Sequence, residues 1–305
     1  MADTITAQRV ASSTERELFA TDMIAVGYDR CRVDDPLFTA PTAVGGFRVV
    51  FPCQSVWIRT CRSRPYVSDP SIVEFYNDGD EFCRRPLDPR GDSTYWYRIN
   101  EADLRELLRR YDPAAAEVVS PFRFTHRPTD AAAYLAQRAV VRRLESGTAP
   151  DDLEVAEAVL HILDRVLRRA CQVQSSGGSR AITRNELDIA DRAAEALSRL
   201  PPGRATLPMI SRAAGVSAFH LCRTFRKVTG QTLARHHLRL RLLASVSALV
   251  ESRASLGEIA TLHGFCSHAH YSSVFRQTFG VTPSAFRCRP TALTQFSTAT
   301  PTARQ

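Results

Sequence analysis

The sequence predicts an α+β chain of two domains: a small β-rich N-terminal domain with a helical hairpin, then an all-α C-terminal domain with two helix-turn-helix motifs joined by a long helix. Three observations lead there. Hydrophobic periodicity changes from that of strands to that of helices near residue 130, the balance of charge reverses near residue 196, and the basic stretch contains one pattern twice. The 305 residues, 44% of them apolar, are enough to bury a core in each domain.

Residues 1–20 begin with the polar run MADTITAQRVASSTEREL and are expected to be disordered. That opening carries no basic leader followed by an apolar stretch, and no run approaches the roughly 18 apolar residues of a membrane span. A cytoplasmic protein with no membrane contact is expected.

Residues 21–174 form the first predicted domain. From Val44 to Phe124, β-branched and aromatic runs (FRVVF, SVWIR, SIVEFY, TYWYRI) alternate with the turn formers PYVSDP, NDGDEF and PLDPRGDS. Leu104 to Tyr111, LRELLRRY, interrupts them as a short helix with Asn100 as its cap. Trp57, Tyr76, Phe82, Trp96 and Tyr97 either line a ligand pocket or form plain core. Between Asp130 and Gln174 two amphipathic helices follow as an antiparallel pair. Tyr134, Leu135, Arg138, Val141 and Leu144 mark one face; Val155, Val159, Ile162, Leu163, Val166 and Leu167 mark the other. These faces exceed what one small sheet can cover, which predicts a homodimer formed through the 130–174 helices.

Residues 175–182 contain Ser175, Ser176, Gly177, Gly178 and Ser179 and read as a flexible linker. The second domain occupies 183–289, starting with a helix from Asn185 to Leu200 that Pro201, Pro202 and Gly203 stop. The Thr-, Ala- and Pro-rich residues 290–305 are expected to be a disordered tail.

Charge separates the two domains. Residues 1–196 hold 26 Arg against 30 Asp and Glu, a net of −4, whereas residues 197–289 hold 12 Arg and Lys227 against Glu251 and Glu258, a net of +11. A basic domain beside an acidic one is the footprint of a chain whose one half meets a polyanion. The eight cysteines are widely spaced without a C-x-x-C pair, so neither a disulfide framework nor a zinc knuckle is signalled. Cys53, Cys61 and Cys83 could ligate a soft metal or simply pack. No metal and no cofactor is expected.

The repeat consists of ISRAAGVSAFHLCRTFRKVTG, from Ile210 to Gly230, and IATLHGFCSHAHYSSVFRQTFG, from Ile259 to Gly280. In each, Ile opens a short helix, Gly215 or Gly264 supplies the positive φ of a tight turn, and Ser217 or Ser267 caps the next helix. The offsets behind the serines match: Leu221 and Tyr271 at +4, Phe225 and Phe275 at +8, Gly230 and Gly280 at +13. The +4 and +8 residues form a buried stripe, which leaves the opposite face free to enter a major groove. Between the units, Arg235 to Glu251 is a continuous helix with Leu238, Leu242, Ser245, Val246 and Leu249 at core spacing. If rigid, it presents two reading helices to one face of a duplex, about one helical turn apart.

With these residues in place, the segment resembles the C-terminal DNA-binding domain of the AraC/XylS family of bacterial regulators over about 100 residues. The second unit, from S-L-G-E-I-A through G-F-x-S to F-R-Q-T-F-G-V-T-P-S-A-F-R, carries the family signature in nearly complete form. The first matches in S-x-x-H-L-x-R-x-F-R-K-x-x-G and departs at Thr232 to Leu238, TLARHHL, where the family often has S-P-x-x-Y-L. The β-rich region resembles the family's cupin-like sensor domain in size, position and its NDGDEF turn. The resemblance implies a cytoplasmic, sequence-specific regulator, often an activator, that binds double-stranded DNA and RNA polymerase. It also implies control by a small-molecule effector or by dimerisation through the N-terminal domain.

The family's base-contacting positions map onto Phe219, Cys222 and Arg223. Arg223 can pair bidentately with guanine O6 and N7 or contact phosphate; Phe219 can meet a thymine methyl. His268, Ala269, His270 and Ser273 form the second reading face, which lacks the Arg that some members place at the Ser273 position, so shape contributes more there. The two histidines either read bases or sit beside phosphates. Ser217, Arg226, Lys227, Ser267 and Arg276 are expected at the DNA backbone, and Ser211, Arg212, Thr261 and His263 could meet it from the supporting helices. The rival reading is a cupin-type small-molecule-binding protein or enzyme with an accessory nucleic-acid-binding domain. Residues 44–125 contain no His and the chain no G-x-S-x-G, so no enzyme is expected.

Overall fold

The computed structural model describes residues 15–147, 151–175 and 182–288. The chain separates into two compact units, one reaching to residue 176 and one occupying 177–287 apart from the short stretch 278–280. Among the described residues no helix is long and apolar enough to cross a membrane.

The N-terminal unit contains β1 (Arg16–Ala20), β2 (Ile24–Cys31), β3 (Thr42–Ala43), β4 (Phe47–Pro52), β5 (Val56–Thr60), β6 (Tyr66–Ser68), β7 (Ile72–Tyr76), β8 (Glu81–Pro86), β9 (Asp92–Ile99) and β10 (His126–Pro128). They form two antiparallel sheets, ordered β1-β2-β9-β4-β7-β10 and β3-β8-β5-β6. Successive side chains of a strand alternate between faces, and the large sheet uses both. On one face, Val26, Val49, Phe51, Val73, Phe75 and Tyr97 pack in one core with the apolar residues of the helices. The other face contributes Asp29, Arg48, Val50, Glu74, Tyr76 and Trp96 to a cavity of about 540 Å³, which the small sheet closes with Ile58, Phe82 and Arg84. Gly27 is needed here because a Cβ at that position would lie 2.1 Å from the Trp96 ring, which crosses β2.

The unit also has four helices, α1 (Glu101–Arg109) and α2 (Pro113–Ala116) between β9 and β10, and α3 (Ala131–Glu145) and α4 (Asp152–Ser175) after β10. Asn100 caps α1 by accepting from the Asp103 amide at 2.9 Å, as its sequence position predicts. Asp130 caps α3 and is paired with Arg165 of α4 at 3.0 Å, tying the hairpin together at one end.

Three expectations change. Residues 16–20 are not disordered: they form an edge strand on β2, and Leu18 and Phe19 pack against the core. The apolar faces of α3 and α4 are not left over for a second copy, since Ala133, Val140, Val141, Val159, Ile162 and Leu163 are buried against the large sheet. That removes the reason for placing a homodimer interface on the hairpin. Of the five candidate pocket aromatics, Tyr76, Phe82 and Trp96 line the cavity, whereas Tyr97 faces the helices and donates to the Gln137 carbonyl at 3.3 Å, and Trp57 lies under Arg85. The expected tail at 290–305, the start of the chain up to residue 14 and most of the expected linker lie outside the described residues.

The C-terminal unit is helical: α5 (Arg184–Arg199), α6 (Leu207–Ala214), α7 (Ala218–Thr229), α8 (Leu233–Glu251), α9 (Leu256–Leu262), α10 (His268–Phe279) and α11 (Pro283–Cys288). A capping box between Thr183 and Glu186 starts α5, which buries Ile189, Ala193 and Leu197 against Ile210, Leu221 and Phe225. Thr232 caps α8 by accepting from the Arg235 amide, so the long helix starts two residues before the expected Arg235. Its core stripe runs through Leu242, Leu243, Ser245, Val246 and Leu249; Leu238 is only half-buried.

Candidate nucleic-acid interface

The repeated sequence folds into a repeated geometry. α6 ends on Gly215 at φ +70° and α9 gives way to Gly264 at φ +73°, a region that side chains with a Cβ rarely adopt. Ser217 accepts from the His220 amide at 3.3 Å, and Ser267 from the His270 amide at 3.1 Å, satisfying one otherwise unpaired amide at each helix start. Leu221, Phe225, Tyr271 and Phe275 are all at most 1% exposed, so each second helix is anchored by the stripe its spacing predicts. Gly230 at φ +74° and Gly280 at φ +77° follow the two helices.

Opposite those stripes lie the candidate contact residues. In the first unit Phe219, Cys222, Arg223 and Arg226 are exposed, Phe219 to 78%, and Ala218 is half-buried. The Arg223 guanidinium sits 5.9 Å from the Phe219 ring centroid, so the two present a joined aromatic and cationic surface. In the second unit His268, Ala269, His270, Ser273 and Arg276 are exposed. His268 shares a hydrogen bond with the Ser272 hydroxyl at 3.2 Å, and His270 with the Cys266 thiol at 3.1 Å. Each histidine thus has a local partner and is held close to its own helix.

Three backbone candidates are placed differently from expectation. The Lys227 ammonium lies 2.7 Å from both carboxylate oxygens of Glu186 on α5, so its charge is met within the protein. Beside that ammonium, the Glu186 carboxyl titrates at about 2, well below the ordinary carboxylate range. Ser211 is buried and donates to the Pro208 carbonyl, and His263 is buried at the end of α9; neither is available to phosphate. Arg212 and Thr261 remain exposed.

Sequence reasoning missed what holds the two halves of this unit together. Gly203, read only as a helix stop, lies against Gly264: a Cβ on Gly264 would fall 2.6 Å from the Gly203 Cα. The loop before the first motif therefore meets the turn of the second through bare backbone. Arg241, midway along α8, donates through Nε to the His263 carbonyl at 2.7 Å and through Nη2 to the Gly264 carbonyl, and lies 4.5 Å from the Phe265 ring centroid. The signal for Gly203 was the glycine itself. Nothing local distinguishes Arg241 from the other arginines.

None of the eight cysteines is in a disulfide. Among the described residues no group of three or more His, Cys, Asp or Glu side chains is arranged to hold a metal, so Cys53, Cys61 and Cys83 are not brought together as a ligand set.

Residues 210–289 match the family model for a helix-turn-helix domain. The chain is 36% identical over 78 residues to the probable transcription factor PqrA of Proteus vulgaris, a match that covers 26% of this chain and 64% of PqrA, just under two thirds of that relative. It is 35% identical over 83 residues to the regulatory protein SoxS of Escherichia coli, covering 27% of this chain and 78% of SoxS. Among solved structures, an AraC-type transcriptional regulator from Chromobacterium violaceum aligns with 36% of this chain and all of its own length, at 25% identity and a TM-score of 0.33. With the matched residues falling on the paired helices described above, the chain belongs to the AraC/XylS family of transcriptional regulators.

Proposed function

We propose that the protein is a sequence-specific DNA-binding transcription regulator whose two helix-turn-helix motifs, α6–α7 and α9–α10, read two adjacent major-groove segments. One observation carries this reading: two units of matching turn, cap and buried stripe each leave one helix face exposed, in a stretch with a net charge of +11. Arg223 makes the main base contact, with Phe219 and Cys222 beside it; His268, Ala269, His270 and Ser273 form the second contact face. Ser217, Arg226, Ser267 and Arg276 set register on the phosphates. RNA polymerase is the expected protein partner, as the family implies, and the chain is read as non-enzymatic. The N-terminal unit serves as a cupin-like small-molecule sensor, a reading supported by its cavity between two sheets.

The test is binding of the full chain to duplex DNA across a salt series. A regulator of this type shows affinity that falls steeply with salt and a footprint of two adjacent major-groove segments. No affinity at low salt sinks the proposal.

A further inference from the structure

The cavity between the two sheets is charged in an unusual way. Five carboxylates line it, from Glu15, Glu17, Asp29, Glu74 and Asp92, against three guanidiniums from Arg48, Arg84 and Arg98. Each arginine is already engaged. At the rim, Arg48 pairs with Glu15 at 2.9 Å and Arg98 with Glu17 at 3.5 Å. Deeper, Arg84 pairs with Asp92 at 3.1 Å and stands 3.9 Å from Asp29.

Among the described residues no cation is paired with Glu74. It is 2% exposed, and the groups that hydrogen-bond it are neutral: the Tyr66 hydroxyl at 2.9 Å, the Tyr76 hydroxyl at 3.3 Å and the Ser68 side chain. A carboxylate taken out of water without a counter-charge either holds its proton or takes up a cation. Burial, helped by Asp92, indeed pushes Glu74 up to about 7. Three further polar atoms on cavity-lining residues have no hydrogen-bond partner among the described residues: Asp92 Oδ1, Arg84 Nε and Trp96 Nε1, on side chains that are all at least nine-tenths buried. The first asks for a donor, the other two for an acceptor. The walls are Val44, Val50, Ile58, Phe82, Tyr76 and Trp96, which supply apolar surface and aromatic faces suited to an organic cation.

We infer that this cavity binds a small protonated amine with a short apolar body, its ammonium placed between Glu74 and Asp92 and a hydroxyl or carbonyl oxygen of the ligand facing Arg84 and Trp96. The inference rests on reading the N-terminal unit as a sensor, and it names the chemical class sensed. Neutral and anionic ligands of the same shape are disfavoured relative to the amine, because they supply no counter-charge to an ionised Glu74 and leave it holding its proton. The cavity, at about 540 Å³, is of the size that encloses small molecules.

The test uses the full chain and two matched series that differ only in charge: tyramine, tyrosol and 4-hydroxyphenylacetate, then n-butylamine, 1-butanol and butyrate. Binding is followed by calorimetry and by the fluorescence of the two tryptophans, Trp57 and Trp96. The amine of at least one series is expected to bind at least tenfold more tightly than its alcohol or acid. Glu74→Gln, whose amide oxygen accepts from one tyrosine hydroxyl while its NH2 donates to the other, is expected to abolish that preference; its melting curve shows whether the fold survives. An alcohol or acid that binds as well as its amine, or no saturable amine binding below 10 mM, overturns the inference, and the wild-type series decides this even if the variant fails to fold. DNA binding measured on the same preparation separates the two readings. Intact DNA binding without amine preference defeats only the ligand class, and amine binding without DNA affinity defeats only the regulator reading.

Discussion

The two repeated helix pairs of the C-terminal half, α6–α7 and α9–α10, share a scaffold and differ in what they present. Both bury residues +4 and +8 from a serine cap and both turn on a left-handed glycine. The first exposes an arginine beside an aromatic ring; the second exposes an alanine, a serine and two histidines that are hydrogen-bonded to their own helix or turn. The turns differ too, since open space surrounds Gly215 whereas Gly264 is pressed against Gly203. Scaffold and exposed face are thus separable: one repeat pattern builds both units, while the exposed arginine–aromatic pair lies in the first and the glycine–glycine contact in the second.

The largest expected effect tests that coupling. Gly215→Ala meets only the strain of the left-handed backbone, about 1–2 kcal/mol. Gly264→Ala adds a clash of its Cβ with Gly203 backbone atoms at 2.6 and 2.7 Å, for a total of roughly 2–5 kcal/mol. Denaturant unfolding of the two variants checks the difference; equal losses would mean that the Gly203–Gly264 contact does not hold the two halves together.

Next in size is base readout. Arg223→Ala is expected to cost about 1–3 kcal/mol on one base pair and to relax preference there, because the proposed bidentate guanidinium contact is lost. His268→Ala and His270→Ala are expected to stay within roughly 0.5 kcal/mol, as exposed surface changes generally do. Binding to a set of single-base operator variants measures both. A uniform loss across all variants for Arg223→Ala would reassign it to phosphate.

How much of this was legible in the sequence follows from the range of each interaction. Caps, turn glycines and the Leu221–Phe225 and Tyr271–Phe275 stripes depend on residues a few positions apart, so their spacing reveals them. Gly203 against Gly264 and Lys227 against Glu186 join residues distant along the chain, and no local pattern marks them. In the β-rich unit β4, β5, β7 and β9 were visible but not their faces, and β6 lies within PYVSDP, which reads as a turn. Tyr97 and Trp96 are adjacent and equally aromatic, and only pairing in the sheet decides that one meets the helices and the other the cavity. β2 escaped the expected β-rich window, which began at Val44, although it pairs with β9 along its whole length. The apolar hairpin faces were read correctly as buried and wrongly as intermolecular, because the area of sheet available to cover them is a property of the assembled fold.

Cap removal is expected to be the same in both units. Ser217→Ala and Ser267→Ala each remove one acceptor from a helix start and should each cost about 1 kcal/mol in unfolding experiments. A clear inequality would show that the two scaffolds are less alike than their geometry.

The smallest effect sharpens the count of phosphate contacts. Arg226 and Lys227 are neighbours in the first unit and equal in charge, but only Arg226 is exposed, while Lys227 is held by Glu186. Removing a phosphate contact lowers the slope of log affinity against log salt by roughly 0.9. Arg226→Ala is therefore expected to lower it by about that amount, and Lys227→Met to leave it unchanged. The lysine variant has a different signature. Glu186 titrates at about 2 rather than near its ordinary 4.5, so the folded state gains from the ionised carboxylate above pH 4.5 and loses that gain as pH falls toward 2. In Lys227→Met the acid-side loss of stability shrinks because the hydrogen-bonded ammonium, the main cause of the shift, is gone. A salt slope that drops in Lys227→Met, with an unaltered acid limb, would place that lysine on the DNA after all and make the first unit the source of register as well as of discrimination.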